Sequence, residues 1–411
     1  MRKYSEYKNS GIPWIGNIPS HWNIQRGKNV LTLLDRPILD TDDVITCFRD
    51  GEVTLRKNRR EEGFTLSFQE IGYQGVEPGD LVVHGMDGFA GAIGVSDSRG
   101  KATPVLNVMD SIHNKRFLMY YLRTAAYKDV FMSLSTGIRV RSCDLRWNKL
   151  SVFPFVLPER EEQDRIAEYI DNKLFQINNI ISEAKASIEE YKAWKSSIIY
   201  EAVTKGLDPN VEMKDSGVEW IGLIPTHWKM SRIKNETKNL DSLREPISAE
   251  NRENKLGLYD YYGASGVIDK IDDFNVDDIV LLIGEDGANL RMRNLPLVYR
   301  ASGKFWVNNH AHILKVLDKN NYGYMAYLLE AGDYSVYITG AAQPKLSQFN
   351  LMRFPIPIAP RGEQDVIEEF LDCKVGEIDG LIDDKMALVE DLESYKKSLI
   401  FEVVTGKRKV V

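Results

Sequence analysis

Cysteine is scarce in this chain: there are three in 411 residues, Cys47, Cys143 and Cys373, and no two form a Cys-x-x-Cys pair. That spacing argues against a zinc knuckle or a disulfide framework and points to a reducing compartment. No apolar run approaches the ~18 residues that a membrane span needs. The first ten residues, MRKYSEYKNS, hold no apolar stretch of the secretory kind, so a soluble, cytoplasmic protein without membrane contact is expected. Signatures of nucleotide chemistry are missing too. The Gly-Lys pairs beginning at 27, 100, 303 and 406 are followed by Asn, Ala, Phe and Arg, never by Ser or Thr, which excludes a P-loop. Neither an Asn-Pro-Pro-aromatic tetrapeptide nor a Gly-x-Ser-x-Gly elbow is present. Glu253-Asn254-Lys255 is half of a nuclease carboxylate–lysine pattern, which chance supplies often. No catalytic constellation emerges.

Positive charge is not in surplus either, since the formal net charge is −7. The acidity is concentrated in residues 159–204 and 361–404, while residues 1–158 are mildly basic. A polyanion meeting the basic part would not face the acidic segments, so the overall charge neither supports nor excludes nucleic acid.

What the chain has is a repeat. Residues 10–22 read SGIPWIGNIPSHW and residues 216–228 read SGVEWIGLIPTHW, nine identities in thirteen positions at an offset of 206. A second pair of blocks, from Phe153-Pro154 to Val203-Thr204 and from Phe354-Pro355 to Val404-Thr405, recurs at an offset of 201. Two like frames thus enclose two unlike inserts, and a repeat of this length fixes the architecture before any site is argued. With 43% hydrophobic residues there is ample material for two cores.

The second blocks read as long helices. Ile170, Leu174, Ile177, Ile181, Ala184, Ile188, Tyr191, Ile198 and Ala202 alternate by four and three, and Leu371, Val375, Ile378, Ile382, Val389, Leu392, Leu399 and Val403 repeat the pattern. Lys195 and Lys385 interrupt it. A 3.5-residue period held this long is a coiled-coil seam. Pro158 and Pro360 stand before the helices, with Gly206 and Gly406 after them, as start and stop chemistry predicts. Packing of the two helices against each other, antiparallel, is the expected arrangement; dimerisation between chains is the alternative.

The inserts read as mixed α/β. Strand-like runs at 80–84, 105–108, 278–283, 304–307 and 312–316 are separated by glycine turns, and a short helix is expected near 115–130 and at 322–331. The fold class is α+β: two β-rich sheet or barrel domains with small helices, separated by two long antiparallel coiled-coil helices in a pseudo-two-fold molecule. Each insert ends on a Thr-Gly pair, followed by Arg139, Arg141 and Ser142 in one copy and by Gln343, Lys345 and Ser347 in the other. Arginine suits guanine and glutamine suits adenine in a major groove; a polar surface loop is the plain alternative. The cluster Arg56, Lys57, Arg59 and Arg60 reads as a phosphate clamp or, with Glu61 and Glu62 next to it, as a solvated loop. Arg146, Arg291 and Arg293 complete the candidate nucleic-acid contacts. His310 and His312 lack a third metal ligand nearby, Tyr261-Tyr262 favour a core over base stacking, and His21-Trp22 and His227-Trp228 belong to the frame as packing residues.

These motifs make the chain resemble the specificity (S) subunit of type I restriction–modification systems. The resemblance rests on the Trp-Ile-Gly-x-Ile-Pro-x-His-Trp frames, the two Glu-Gln-Asp helix starts and the Glu-Ala-Val-Thr-Lys-Gly and Glu-Val-Val-Thr-Gly-Lys helix ends. It implies target recognition domains at 1–158 and 207–360, conserved helices at 159–206 and 361–406, and a basic tail at 407–411. Each domain would read one half of a bipartite asymmetric site in double-stranded DNA. The helices would set the spacer and dock two methylation (M) subunits, with Ile170, Leu174, Ile177, Leu371, Val375 and Ile378 as candidate partner contacts. Two restriction (R) subunits would join through these, so that the complex directs adenine methylation or restriction. No cofactor is expected here: S-adenosylmethionine, ATP and magnesium would belong to the partners, and this chain would be non-catalytic. One departure stands out, since the stretch from Thr-Gly to Phe-Pro is two residues longer in the first insert. A helical scaffold without a DNA role, and a methyltransferase or nuclease of unfamiliar motif, are the competing readings.

Overall fold

A computed structural model describes residues 2–59, 70–133 and 145–410. The chain divides into two compact units, residues 1–185 with 387–411 and residues 186–386. Among the described residues no helix is long and apolar enough to cross a membrane.

In the first unit a four-stranded antiparallel sheet has the order Thr32–Leu33, Leu106–Asp110, Leu81–His84, Ile93–Val95. Its central strand is buried on both faces because successive side chains enter different cores. Leu81 and Val83 join Phe117, Leu118, Tyr121 and Leu122 of the helix Lys115–Tyr127, whereas Val82 joins Ile45, Val53, Val76 and Val108. The second unit repeats the device. Its six-stranded sheet runs Thr237–Asn239, Ala311–Val316, Val276–Gly284, Val298–Val307, Leu256–Gly263, Gly266–Ile271, and only the pair Leu256–Gly263 with Val298–Val307 is parallel. Leu281 and Ile283 face Tyr324, Met325, Leu328 and Leu329 of the helix Tyr322–Ala331, while Val280 and Leu282 face Phe305 and Ile313. The apolar runs legible in the sequence are therefore strands covered on both sides.

The long helices span Arg160–Lys205 and Arg361–Val404, 46 and 44 residues. The first is about 69 Å long at 1.5 Å per residue. Gly206 and Gly406 follow them at φ +77° and +72°, the left-handed turn that ends a helix most cheaply on glycine. Each unit contains part of both helices, side by side. In the first, Ile177 and Ile181 share a cluster with Val389, Leu392 and Leu399. In the second, Ile188 packs with Ile378 and Ile382, Lys385 Nζ lies over the Tyr191 ring at 5.8 Å, and Lys195 pairs with Asp379 at 2.5 Å. Numbers rise on one helix as they fall on the other, so the packing is antiparallel. Lys195 and Lys385 thus each find a partner on the facing helix. Burial of each isoleucine contributes ~1.5–3 kcal/mol, against ~0–1 kcal/mol for a partly exposed ion pair, so the seam is held by its apolar residues.

One expectation is corrected here. Ile170, Ile177, Leu371 and Ile378 are each at most 6% exposed, and Leu174 and Val375 pack against the same cores. Ile170, Ile177, Leu371 and Ile378 are consumed by the chain's own packing and offer no surface to another subunit, while Leu174 and Val375 are half-buried. The apolar side chains left outside on the helices are others, including Phe175, Ile180, Trp194 and Met386.

The repeated frame proves to be a clasp on the helix ends. Ser10 and Ser216 each accept a hydrogen bond two residues on, from Ile12 and Val218 N–H, both at 3.1 Å. Trp22 and Trp228 are fully buried. His21 Nε2 meets Glu162 at 3.0 Å, and His227 Nε2 meets Glu363 at 2.6 Å. The next two residues of each Glu-Gln-Asp start also act alike. Gln163 and Gln364 accept from Asn114 and Asn321 N–H, and Asp164 and Asp365 accept from the same asparagines' side chains. Asn114 and Asn321 in turn cap the short insert helices. Each frame also touches the end of the other long helix. A Cβ on Gly406 would lie 2.3 Å from Pro19, and one on Gly206 would lie 3.3 Å from Trp228. The first contact lies in the first unit and the second in the second.

Candidate nucleic-acid interface

The second insert brings two distant loops into one surface. The strand Val276–Gly284 delivers Glu285-Asp286-Gly287, with Gly287 at φ +97°. The other loop is a tight hairpin closed by paired hydrogen bonds between Thr339 and Lys345, 2.9 and 2.8 Å. Gly340 sits at φ +83°, and a Cβ there would lie 2.3 Å from the Gln343 carbonyl, so the Thr-Gly pair is a steric requirement of the turn. The loops are joined by Gly287 N–H to Pro344 O at 3.0 Å, Leu346 N–H to Glu285 O at 2.7 Å, and Arg291 Nη2 to Gly340 O at 3.2 Å.

Beneath this surface lies a layer of charges that sequence reading missed. Glu285 pairs with Arg244 and, at 2.9 Å, with Lys345 Nζ. Burial would raise its carboxyl, but the hydrogen bonds from Lys345 and Arg244 outweigh that and hold it below the usual carboxylate range. His312 is fully buried between Asp241 Oδ2, 2.7 Å from Nδ1, and Leu346 O, 2.8 Å from Nε2. Both contacts are hydrogen bonds only when the ring carries both protons. Asp241 likewise lies below its ordinary range, burial being outweighed by the His312 hydrogen bond. His310 is tied to Asp286 at 2.7 Å. Among the described residues no group of three or more acids, histidines and cysteines could hold a metal. No local signal announces this layer, because its partners are separated by 24 to 71 positions.

Against this geometry the candidate residues separate. Gln343 is exposed at the hairpin tip. Arg291 is exposed beside it and anchors the turn. Lys345 is held by Glu285, so it both supports the loop and presents positive charge. Arg293, at φ +52°, donates to the carbonyls of Glu330 and Gly332 at the end of the helix Tyr322–Ala331 and is engaged as its cap. Ser347 Oγ accepts from Asn350 N–H at 3.3 Å and caps the helix Gln348–Arg353. In the first unit the basic cluster is locally neutralised. Lys57 pairs with Asp43 at 2.5 Å, Arg59 pairs with Asp50 and Glu52 at 2.7 and 2.9 Å, and Arg56 Nε donates to Thr46 at 3.2 Å. Arg146 precedes the helical turn Trp147–Leu150. Arg139 and Arg141 lie outside the described residues. Tyr261 is buried as expected, with its hydroxyl on the backbone of Ile247.

Comparison with known proteins adds the family context. The profile of the type I restriction modification DNA specificity domain matches residues 225–379. A protein named as a type I restriction enzyme specificity subunit from Haemophilus influenzae is 30% identical over 147 residues, 36% of each chain; that match spans about a third of the relative's own length. The MjaX specificity subunit of Methanocaldococcus jannaschii is 22% identical over 96% of both chains. Among solved structures, the chain is similar to one from a study of complex assembly and conformational transition of the type I R-M system, with TM-score 0.69 and 11% identity over 94% of this chain and 98% of that one. It is also similar to the HsdS subunit from Thermoanaerobacter tengcongensis, with TM-score 0.52 and 13% identity over 95% and 98%. At these identities the structural likeness is one of fold.

Proposed function

The chain belongs to the specificity subunits of type I restriction–modification systems, and on that premise we propose that each of its two units reads one half of a bipartite DNA site. The observation that carries the reading is the repeated clasp: corresponding contacts, Asn114 N–H to Gln163 and Asn321 N–H to Gln364, recur at the helix starts of two units whose sheets differ in strand number and order. A constant scaffold with divergent inserts is what recognition of two unlike half-sites requires. In the second unit the reading surface is the joined loop pair, with Gln343 and Arg291 toward base edges and Lys345 toward phosphate. The chain itself performs no catalysis. S-adenosylmethionine, ATP and magnesium act in the methylation and restriction subunits, which dock on the exposed helix residues Phe175, Ile180, Trp194 and Met386 rather than on the buried seam. The helix pair sets the unread spacer.

The test exchanges residues 229–358 for the corresponding insert of another specificity subunit, co-expresses the chimera with its methylation subunit and maps methylated adenine by single-molecule sequencing. The expected result is one half-site replaced and the other kept. Loss or change of both half-sites together would count against two independent readers.

A further inference from the structure

The two clasps differ at the carboxylate of the helix start. In the first unit Tyr4 lies on the frame, its hydroxyl donating to Glu162 Oε1 at 2.6 Å while His21 takes Oε2 at 3.0 Å. Its ring packs edge-on to Trp22, with centroids 6.0 Å apart, and lies 5.7 Å from His21. The matching strands of the two units begin at Tyr7 and Met213, paired with Pro19 and Pro225, so the residue of the second unit in the place of Tyr4 is Asn210. Asn210 is exposed, and where the first unit has its phenol the second has a cavity of about 310 Å³. Leu207, Val211, Pro225 and Val366 give this cavity its apolar wall, and His227 and Glu363 give it its polar end. Pro225, His227 and Glu363 are the repeat counterparts of Pro19, His21 and Glu162.

The carboxylate records the difference. Glu363 keeps its histidine but gives its other oxygen to Trp228 Nε1 at 2.8 Å. In the first unit that oxygen is taken by Tyr4, and the buried Trp22 Nε1 has no hydrogen-bond partner among the described residues. A phenol and the indole N–H are therefore alternative donors to one acceptor. Residues 60–69 and 134–144, which lie outside the described residues, contain no tyrosine.

We propose that this cavity is a docking site for a tyrosine side chain of a partner polypeptide, whose hydroxyl takes the Glu363 oxygen held by Trp228. The apolar wall accepts the ring, and the carboxylate selects a ring that bears a hydroxyl donor. On binding, the Trp228 indole passes from a bonded to an unbonded state, as Trp22 already is.

The full chain labelled with 5-fluorotryptophan tests this by ¹⁹F NMR, the Trp228 signal being assigned from Trp228→Phe. p-Cresol, the isolated tyrosine side chain, is expected to shift that signal saturably at millimolar concentration, as small ligands with few contact atoms do. N-acetyltyrosinamide is expected to do the same, and toluene, which lacks the hydroxyl, to move it less. Asn210→Tyr should shift the signal without ligand and abolish the titration. Val366→Phe, a change at a residue 57% exposed, should block it if the first variant fails to fold. No saturable shift, or a titration unchanged in the filled variant that folds, overturns the proposal. A response to p-cresol without one to N-acetyltyrosinamide also overturns it, because the site would then admit free phenols only. The experiment contains no DNA, so its outcome is separate from that of the half-site exchange.

Discussion

Single side chains in the candidate interface do two kinds of work that composition does not distinguish. Gln343 is exposed at the tip of a turn, whereas Arg293 is spent on the carbonyls that end a helix. Gln343→Ala is expected to weaken the second half-site alone, by ~1–3 kcal/mol for a lost bidentate contact, with the melting temperature unchanged. Arg293→Ala is expected to do the reverse, destabilising the unit by ~1 kcal/mol through the lost cation at the helix end with the base preference intact. Methylation of substituted sites and calorimetry on both variants check this, and equal weakening of Gln343→Ala on all sequences would make it a phosphate contact. The Thr-Gly pair was legible because a left-handed glycine is a local demand. The engagement of Lys345 and Arg293 was not, because their partners Glu285 and Glu330 are set by tertiary contact.

At the scale of elements, the long helices were the most readable part of the chain. A period of 3.5 residues, a proline before and a glycine after placed both within a residue or two of Arg160–Lys205 and Arg361–Val404. The helix Tyr322–Ala331 coincides with its expected bounds. Periodicity could say that a seam exists but not what covers it, which is why Ile170 and Leu371 could also be read as contacts to a partner. The covering also changes how the spacer should be engineered. Ile188 faces Ile378 and Ile382, so one turn added to residues 177–188 alone would put apolar side chains opposite polar ones. A heptad added to both helices at facing positions preserves the seam and lengthens the pair by about 10 Å. The expected readout is a spacer longer by about three base pairs, at 3.4 Å per step, with the same bases read on either side. A methylome with an unchanged spacer would remove the helices from that role.

At the scale of the whole molecule, the repeat announced the architecture, but only the structure shows what the repeated residues are for. His-Trp and Glu-Gln-Asp are far apart in sequence and meet at the clasp, where they fix helix start, insert helix and frame together. The same clasp holds the two chain ends. Lys409 N–H donates to Arg2 O at 3.0 Å, Lys407 Nζ donates to Asn17 O, and Lys409 lies over the Tyr4 ring at 6.0 Å. Joining the ends by a short glycine-rich linker and opening the chain at the exposed residues 208–210 should therefore give a protein that melts within a few degrees of the original, since no buried backbone is cut. A permuted chain that is unfolded in calorimetry would refute the equivalence of the two junctions. If it holds, the hydrogen bond between Lys409 and Arg2 does the work of a covalent junction.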